Sequence, residues 1–213
     1  MNRTPTRKGT ASFFSGIRTH RLTPEELEQI ADLCRRYAVQ AVRISSAQQL
    51  VFLNPPDALL PALRRELHLS DPPALRRHRI SLVQACGGRD NCRYGVGDSQ
   101  TLGAAIERLS FAEPLPAKVK VGISGCRMCC CESWIRDVGL IAEQKGWKLL
   151  FGGNGAGRPR IGDVVAQGLS DREALALVEK CLTFYREHAK NKTRTARFME
   201  RVGIDALKQQ VLG

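Results

Sequence analysis

The chain has 213 residues, eight cysteines and a formal net charge of +12. Hydrophobic residues amount to 43% and charged residues to 25%, a balance that indicates a folded core and excludes a disordered chain. No apolar run reaches about 18 residues, and no apolar signal segment follows the basic N-terminus, so we expect a cytoplasmic protein that does not span a membrane. In that reducing compartment, cysteines serve as metal ligands or reactive thiols more often than as disulfide bonds.

The excess of positive charge predicts an anionic partner, such as a nucleic acid, an anionic membrane surface or an anionic ligand. The basic residues occur in short scattered pairs, and aromatic residues make up only 6% of the chain. Proteins that bind single-stranded nucleic acids usually line a basic groove with aromatic side chains. The pattern therefore argues against a nucleic-acid partner.

The first elements predict a small α+β unit. Thr23, Pro24 and Glu26 have the spacing of a capping box that begins a helix, and apolar residues recur at helical spacing as far as Tyr37. Apolar and proline patterns predict the next elements, which are strands at 41–44 and 49–53, a helix at 57–67 and a linker at 70–77. The order strand, helix, strand, strand, helix predicts an N-terminal domain over residues 1–75.

The remaining residues, 76–213, form a second predicted domain. Its predicted elements are a helix at 98–110, a strand at 118–124, a hairpin at 137–153 that turns at 145–146, a helix at 170–190, and a basic helix with a last amphipathic turn over 194–212. Ser170 and Glu173 form a second capping box at the start of the longest helix. Cys34 and Cys181 fall on apolar helix faces, so we expect both to be small core residues.

The other six cysteines lie in two short segments. Cys86 and Cys92 form a C-x5-C pair, and four more cysteines lie within residues 126–131, where Cys126 and Cys130 form a C-x3-C pair. Four thiolates from two loops are what a [4Fe–4S] cluster needs, with one cysteine for each iron. Structural zinc sites use C-x2–4-C pairs, which the second pair satisfies and the first does not. The spacing favours a cluster, and a zinc site or no metal remain as alternatives.

These pairs and their flanks resemble the sirohaem sulfite and nitrite reductases. "KVKVGISGC" is similar to the strand that leads into that family's third cysteine, "LLFGGNGAGRPRIGD" to its cofactor-carboxylate loop, and "KTRTARFMERVG" to its C-terminal helix. The likeness is greatest to the small, single-repeat, assimilatory-type sulfite reductases. It implies an α+β fold, in which a ferredoxin-like half unit is followed by an α/β domain that binds sirohaem and an iron–sulfur cluster.

The resemblance also implies the site residues. The cluster ligands would be Cys86, Cys92, Cys126 and Cys130, and Cys130 would also bridge to the sirohaem iron. The sirohaem contacts would be Arg43, Ser45, Ser46, Gln48, Asn154, Arg158 and Arg160. The catalytic cations would be Arg43, Lys118 and Lys120. Because the two lysines alternate with valines, the exposed face of a half-buried strand is an equal alternative for them.

Two positions depart from the family pattern. Ala47 stands where the family usually has an arginine on the substrate side, which predicts weak binding of the anion. Arg127, Met128 and Cys129 replace the residues that usually separate the last two cysteines, including a proline–asparagine pair. Cys129 therefore remains a minor alternative to Cys130 as the bridging ligand.

The resemblance predicts an enzyme that reduces sulfite to sulfide with six electrons on a coupled sirohaem–[4Fe–4S] centre. Reduction of nitrite to ammonia on the same centre is one alternative, and a non-catalytic electron-transfer protein that holds both cofactors is another. A basic zinc protein that binds nucleic acid is a third. The chain has no G-x-G-x-x-G nucleotide fingerprint, so we expect a low-potential electron donor such as ferredoxin or flavodoxin. It would act as a monomer or a homodimer.

Overall fold

The computed structural model describes residues 12–18, 22–45, 49–66 and 78–213. The chain divides into two compact units, Met1–Ser70 and Asp71–Gly213. The predicted domain boundary at residues 75 and 76 falls outside the described residues and stays a prediction. Within the described ranges, no helix is both long enough and apolar enough to cross a membrane.

The N-terminal unit is a three-stranded antiparallel sheet with two helices. Its elements are β1 (Ser12–Arg18), α1 (Pro24–Arg36), β2 (Ala41–Ile44), β3 (Gln49–Leu53) and α2 (Leu60–Glu66). Strand β3 lies between β1 and β2. The predicted capping box is present, because Glu26 N donates to Thr23 Oγ1 at 3.2 Å and Thr23 N donates to Glu26 Oε2 at 2.7 Å. Cys34 packs against the apolar core of this unit, as expected.

The C-terminal unit is built on a five-stranded mixed sheet. Its strands are β4 (Leu82–Ala85), β5 (Lys120–Ser124), β6 (Val138–Glu143), β7 (Gly146–Phe151) and β8 (Asp163–Leu169). They follow one another in this order across the sheet, with β4, β5 and β6 parallel and with β7 and β8 antiparallel to their neighbours. The sequence analysis assigned no strand to β4, which is short, or to β8, which is only partly buried and contains Gly168 at a φ of +72°.

In the described part of this unit, five α-helices accompany the sheet, namely α3 (Gly88–Asn91), α4 (Ser99–Glu107), α5 (Asp171–His188), α6 (Thr195–Val202) and α7 (Ile204–Leu212). Helix α5 places Val178, Cys181 and Tyr185 in the core, which confirms Cys181 as a core residue. The segment predicted as a basic helix and a last amphipathic turn is two helices, and Gly203 adopts a φ of +80° between them. The β6–β7 hairpin turns at residues 144–145, one position earlier than predicted.

The strand register defines two ends of this sheet. The parallel strands β5 and β6 finish side by side, with Ser124 paired to Ile141. Their first residues lie at the other end, where Val138 also pairs with Phe151 at the end of β7. Loops that follow β5 therefore start at one end of the sheet, and the loop that follows β7 starts at the opposite end.

Candidate functional site

The four predicted cluster ligands come from two loops that the parallel strands bring together. Cys86 follows β4 and Cys92 ends α3, whereas Cys126 and Cys130 follow β5. Because β4 and β5 are neighbouring parallel strands, the loops after them leave from the same end of the sheet. The contact is direct, since the backbone N–H of Gly125 donates a hydrogen bond to Cys86 Sγ at 3.1 Å.

The thiol groups are close enough to influence one another electrostatically. Loss of surrounding water raises the pKa of Cys130, and negative charge on Cys86, Cys126 and Cys92 raises it further. Cys130 is exposed, whereas the other three are partly buried, and all four are free thiols. The structure thus brings the four predicted ligands into one group, with the proposed bridging cysteine on its open side.

Cys86 is the most strongly stabilised thiolate of the group. Its pKa is lowered to about 4, mainly by a hydrogen bond from the Cys131 thiol and also by the Gly125 N–H, while burial acts in the opposite direction. Ser99 Oγ lies 3.6 Å from the same sulfur and donates to the Cys86 carbonyl at 2.8 Å. Hydrogen bonds to ligand sulfurs are one of the means by which proteins tune an iron–sulfur cluster.

Cys131 contacts one of the predicted ligands, a contact that the sequence pattern does not predict. Its side chain is only 1% exposed, and its hydrogen bond to Cys86 raises its own pKa far above the usual range. The backbone N–H of Cys131 donates to Ser124 Oγ at 3.2 Å, which holds Cys131 against the last residue of β5. The cysteine run "CCC" was the only signal in the sequence, and it does not separate a ligand from a donor to a ligand.

Glycines allow the two cysteine loops to approach each other. Gly88 has a φ of +62°, a conformation that favours glycine. A Cβ atom on Gly125 would lie 2.7 Å from Gly88 Cα and 3.0 Å from the Gly97 carbonyl oxygen. These neighbours are backbone atoms, so they cannot move aside as a side chain could. Two loops whose backbones approach each other this closely can surround a bulky iron–sulfur cluster.

The donor set fits a [4Fe–4S] cluster better than a single zinc ion. Among the described residues, no three His, Cys, Asp or Glu side chains are grouped so that they could hold one metal ion. A cluster takes one cysteine for each iron, so its four ligand sulfurs stand further apart than the ligands of a tetrahedral zinc ion. Four neighbouring thiols on two glycine-rich loops meet that requirement.

Replacement of Gly125 by alanine is expected to prevent most cluster assembly. The added methyl group would collide with the backbone of Gly88 and Gly97 and push the two cysteine loops apart. Iron and acid-labile sulfide in the reconstituted protein would measure the loss. Gly157→Ala is the matched control, because a Cβ atom there has no neighbour within 4 Å. Equal iron and sulfide in both variants would show that cluster assembly does not need the close approach of Gly125 to the backbone of Gly88 and Gly97.

The predicted carboxylate-binding loop follows β7. Asn154 and Arg160 pair through two backbone hydrogen bonds of 2.8 Å, and Asn154 Nδ2 donates to the Arg158 carbonyl at 2.7 Å. The Arg160 guanidinium donates to the Gly152 carbonyl at 2.9 Å and to Asp163 Oδ2 at 2.6 Å. Arg158 has a side chain that is 76% exposed. Asn154 and Arg160 therefore shape the loop, and Arg158 offers the more accessible guanidinium.

The two candidate catalytic lysines lie at the start of β5. Lys118 and Lys120 are exposed, whereas Val119 and Val121 are fully buried between and after them. Lys120 also lines a cavity of about 110 Å³, which it shares with Asn154. This cavity brings together one residue predicted to bind the cofactor and one predicted to act on the substrate.

A buried carboxylate that the sequence analysis missed holds this end of the sheet. Asp137 is 1% exposed and accepts hydrogen bonds from Lys120 N at 2.8 Å, Arg194 Nη2 at 2.5 Å and Thr195 Oγ1 at 2.5 Å. Asp137 and Arg194 line the same cavity as Lys120. The carboxylate thus fixes the first residue of β5 and the start of α6 relative to β6.

The remaining predicted site residues belong to the N-terminal unit. Arg43 lies on β2 with an exposed side chain, and Ser45 follows that strand with a partly buried one. Ser46 and Gln48, together with Ala47, lie outside the described residues. The roles assigned to all of these residues stay predictions.

Comparisons with known proteins agree with the fold of each unit. A family model described as "Nitrite/Sulfite reductase ferredoxin-like half domain" matches residues 5–70. A second, described as "Nitrite and sulphite reductase 4Fe-4S domain", matches residues 78–213. The structure of the NirA protein of Mycobacterium tuberculosis matches 93% of this chain and 39% of its own, with a TM-score of 0.69 and 23% identity, which supports the fold alone.

Two relatives differ in how much of their length they share with this chain. An assimilatory-type sulfite reductase of Nitratidesulfovibrio vulgaris is 43% identical over 90% of this chain and 88% of its own length. An NAD(P)H nitrite reductase of Bacillus subtilis is 32% identical over 84% of this chain, which spans only 22% of that larger protein. The predicted fold class and the cofactor pair of sirohaem and a [4Fe–4S] cluster are confirmed. The chain is therefore an enzyme that belongs to the nitrite and sulphite reductase family.

Proposed function

We propose that this enzyme reduces sulfite to sulfide with six electrons at a sirohaem that Cys130 couples to the [4Fe–4S] cluster. The observation that carries the proposal is the group of four neighbouring thiols in which Cys130 alone is exposed. The similarity to an assimilatory-type sulfite reductase over most of both chains supports sulfite as the substrate.

In this proposal each cysteine has a distinct task. Cys86, Cys92 and Cys126, which are partly buried, would each hold one iron, and the exposed Cys130 would hold the fourth. The Cys131 thiol and the Gly125 N–H donate to the Cys86 sulfur and so stabilise its negative charge. When bound, the two cofactors would supply the iron at which sulfite is reduced and would relay to it the electrons that a donor protein delivers.

The cationic residues would orient the anionic groups. Arg158 projects an exposed guanidinium that suits a carboxylate of the macrocycle, because its planar fork donates two parallel hydrogen bonds. Arg160 and Asn154 would present the loop, and Arg43, Ser45, Ser46 and Gln48 would contribute from the N-terminal unit. Lys118 and Lys120 would attract the substrate and hold protons near it, and Ala47 leaves fewer cations to do so.

The electrons would come from a separate protein, because the chain has no nucleotide fingerprint of its own. A low-potential ferredoxin or flavodoxin suits that role, and its acidic surface would be attracted by the net charge of +12. An iron–sulfur cluster held by cysteine thiolates suits a reducing compartment, so we place the protein in the cytoplasm. We expect sedimentation to show a monomer or a homodimer.

Reduction of nitrite to ammonia is the second candidate. The similarity to a nitrite reductase over 84% of this chain favours it, and both substrates are small oxyanions. A non-catalytic electron-transfer role would follow if Ala47 left the anion too weakly bound to react.

A reduced-viologen assay with sulfite and nitrite side by side tests the function. We expect a higher kcat/KM for sulfite, and we expect Lys120→Ala to lower it by roughly tenfold or more, because a cation near developing negative charge is lost. Lys190→Ala is the control, since Lys190 is exposed after α5 and lies outside the cavity that Lys120 lines. A wild-type enzyme that reduces neither anion, although both cofactors are present in its optical spectrum, would favour the electron-transfer role.

A further inference from the structure

A large groove lies beside the cysteine loop of the C-terminal unit. It has a volume of about 1080 Å³, and its lining includes Tyr94, Val96, Cys126, Arg127, Met128 and Lys145. We call it the Met128 groove. Because Cys126 is one of the four cluster ligands, a cofactor carried into this groove by another protein would come next to an iron atom of the cluster.

The Met128 groove and the cavity that contains Lys120 lie at opposite ends of the sheet. Cys126 follows the last residues of β5, and Lys145 lies in the turn between β6 and β7 at that same end. Lys120 is the first residue of β5, and Asn154 follows the last residues of β7 at the other end. The loop that follows β5 begins beside the groove and then runs back toward the cavity. Arg136, which lines the cavity, donates from Nε to the Cys131 carbonyl of this loop at 3.3 Å.

The groove has an apolar centre that is open to solvent. Met128 is 70% exposed, Tyr94 is 53% exposed and Val96 is 38% exposed. Exposed apolar residues grouped in a concave surface are typical of an interaction site. Methionine is especially suited to such a surface, because its flexible side chain adapts to different partners.

The charged residues around this centre are mostly positive. Arg127 and Lys145 line the groove, and Arg93 stacks on Tyr94 with its guanidinium carbon 4.6 Å from the ring centre. Glu143 also lines it, but its carboxylate is neutralised by Lys148 Nζ at 2.5 Å. A partner that complements this surface would have an apolar patch with acidic residues around it.

We propose that the Met128 groove is the docking site of the electron donor, a small acidic protein with an exposed iron–sulfur cluster. This inference rests on the proposed function, because that function requires an electron donor. It adds that electrons enter at the end of the sheet where Cys126 lies, away from the end where Lys120 and Asn154 lie. Donor and anionic substrate then do not compete for one positive surface.

The experiment measures binding and turnover separately. Titration calorimetry with a purified, oxidised, acidic [4Fe–4S] ferredoxin as the probe gives the Kd, and sulfite reduction is driven by that ferredoxin or by reduced methyl viologen. We expect Lys145→Glu to raise the Kd about tenfold and the viologen-driven rate to stay within about twofold, because the charge change affects only docking. Met128→Ser is expected to weaken binding while iron and sulfide content are retained.

The matched control is Lys190→Glu, which makes the same charge change on an exposed residue outside the groove. Equal weakening by Lys145→Glu and Lys190→Glu, or no weakening by either, would overturn the docking site. Dissociation of a dimer by Met128→Ser in sedimentation, with ferredoxin binding unchanged, would instead assign the groove to a second copy of the chain. Absence of viologen-driven sulfite reduction with groove-dependent ferredoxin binding would refute the proposed function and leave the docking site in place.

Discussion

Serine at any one of Cys86, Cys92, Cys126 and Cys130 is expected to abolish the [4Fe–4S] cluster. In the proposed site each thiolate would bind one iron, and the two loops that carry them are in contact, for example through the hydrogen bond from Gly125 N to Cys86 Sγ. Loss of a ligand therefore removes the bond that the cluster makes between the loops, and folding stability is lost with it. Iron and acid-labile sulfide, and the electron paramagnetic resonance signal of the dithionite-reduced protein, would measure the effect.

Cys34→Ala is the control for this series, because Cys34 packs against the core of the N-terminal unit. This variant is expected to leave the cluster intact.

Cys129→Ser separates the two possible bridging ligands. Cys129 adopts a φ of +57° between Cys126 and Cys130 and is only partly exposed. A full cluster in Cys130→Ser and its loss in Cys129→Ser would show that the bridging ligand is Cys129.

Replacement of Asp137 by alanine is expected to lower the free energy of unfolding by roughly 1–3 kcal/mol, since removal of a hydrogen-bond acceptor leaves buried donors unsatisfied, whereas Arg194, whose side chain is 36% exposed, can still reach water. Asp137 is 1% exposed and accepts from Lys120 N, Arg194 and Thr195. The variant leaves the buried Thr195 hydroxyl without its acceptor and takes the counter-ion from Arg194. Urea unfolding of the cluster-free protein, followed by circular dichroism, would measure the change without interference from the cofactors.

The matched control is Asp205→Ala, which removes an exposed carboxylate from the first turn of α7. A charge near a helix N-terminus contributes only about 0.3–1 kcal/mol, so this variant should unfold at nearly the wild-type urea concentration. If the two variants lose equal stability, Asp137 does not hold β5, β6 and α6 together.

Local signals in the sequence were enough to place most helices and several strands. The capping boxes at Thr23 and Ser170 begin α1 and α5 as predicted, because a cap is completed by residues only three positions apart. Strand β8 escaped prediction, because its partly exposed residues have no clear alternation and its pairing with β7 is irregular. The hydrogen bonds that define such a strand come from distant residues.

The cluster ligands were predictable for a different reason. Thiols at a fixed spacing have few uses in a reducing compartment, so a metal site was indicated, and through the family resemblance Cys86, Cys92, Cys126 and Cys130 were named as its predicted ligands before any fold was known. Cys131 was not identified, because its role depends on the burial of its side chain and on the hydrogen bond that its thiol makes to Cys86. Asp137 was also missed, since a single aspartate before a strand has no local pattern that reveals three donors around it.

The sequence by itself determined the cysteine spacing, the capped helices, the apolar strands and the large positive charge, since each of these depends on residue type and short-range spacing. Only the tertiary structure decided that Cys131 donates to Cys86, that Asp137 joins β5 to α6, and that the Met128 groove and the cavity of Lys120 lie at opposite ends of one sheet. These relations arise from the parallel pairing of β4, β5 and β6. That pairing joins residues far apart in the chain, and long-range packing rather than local propensity selects it.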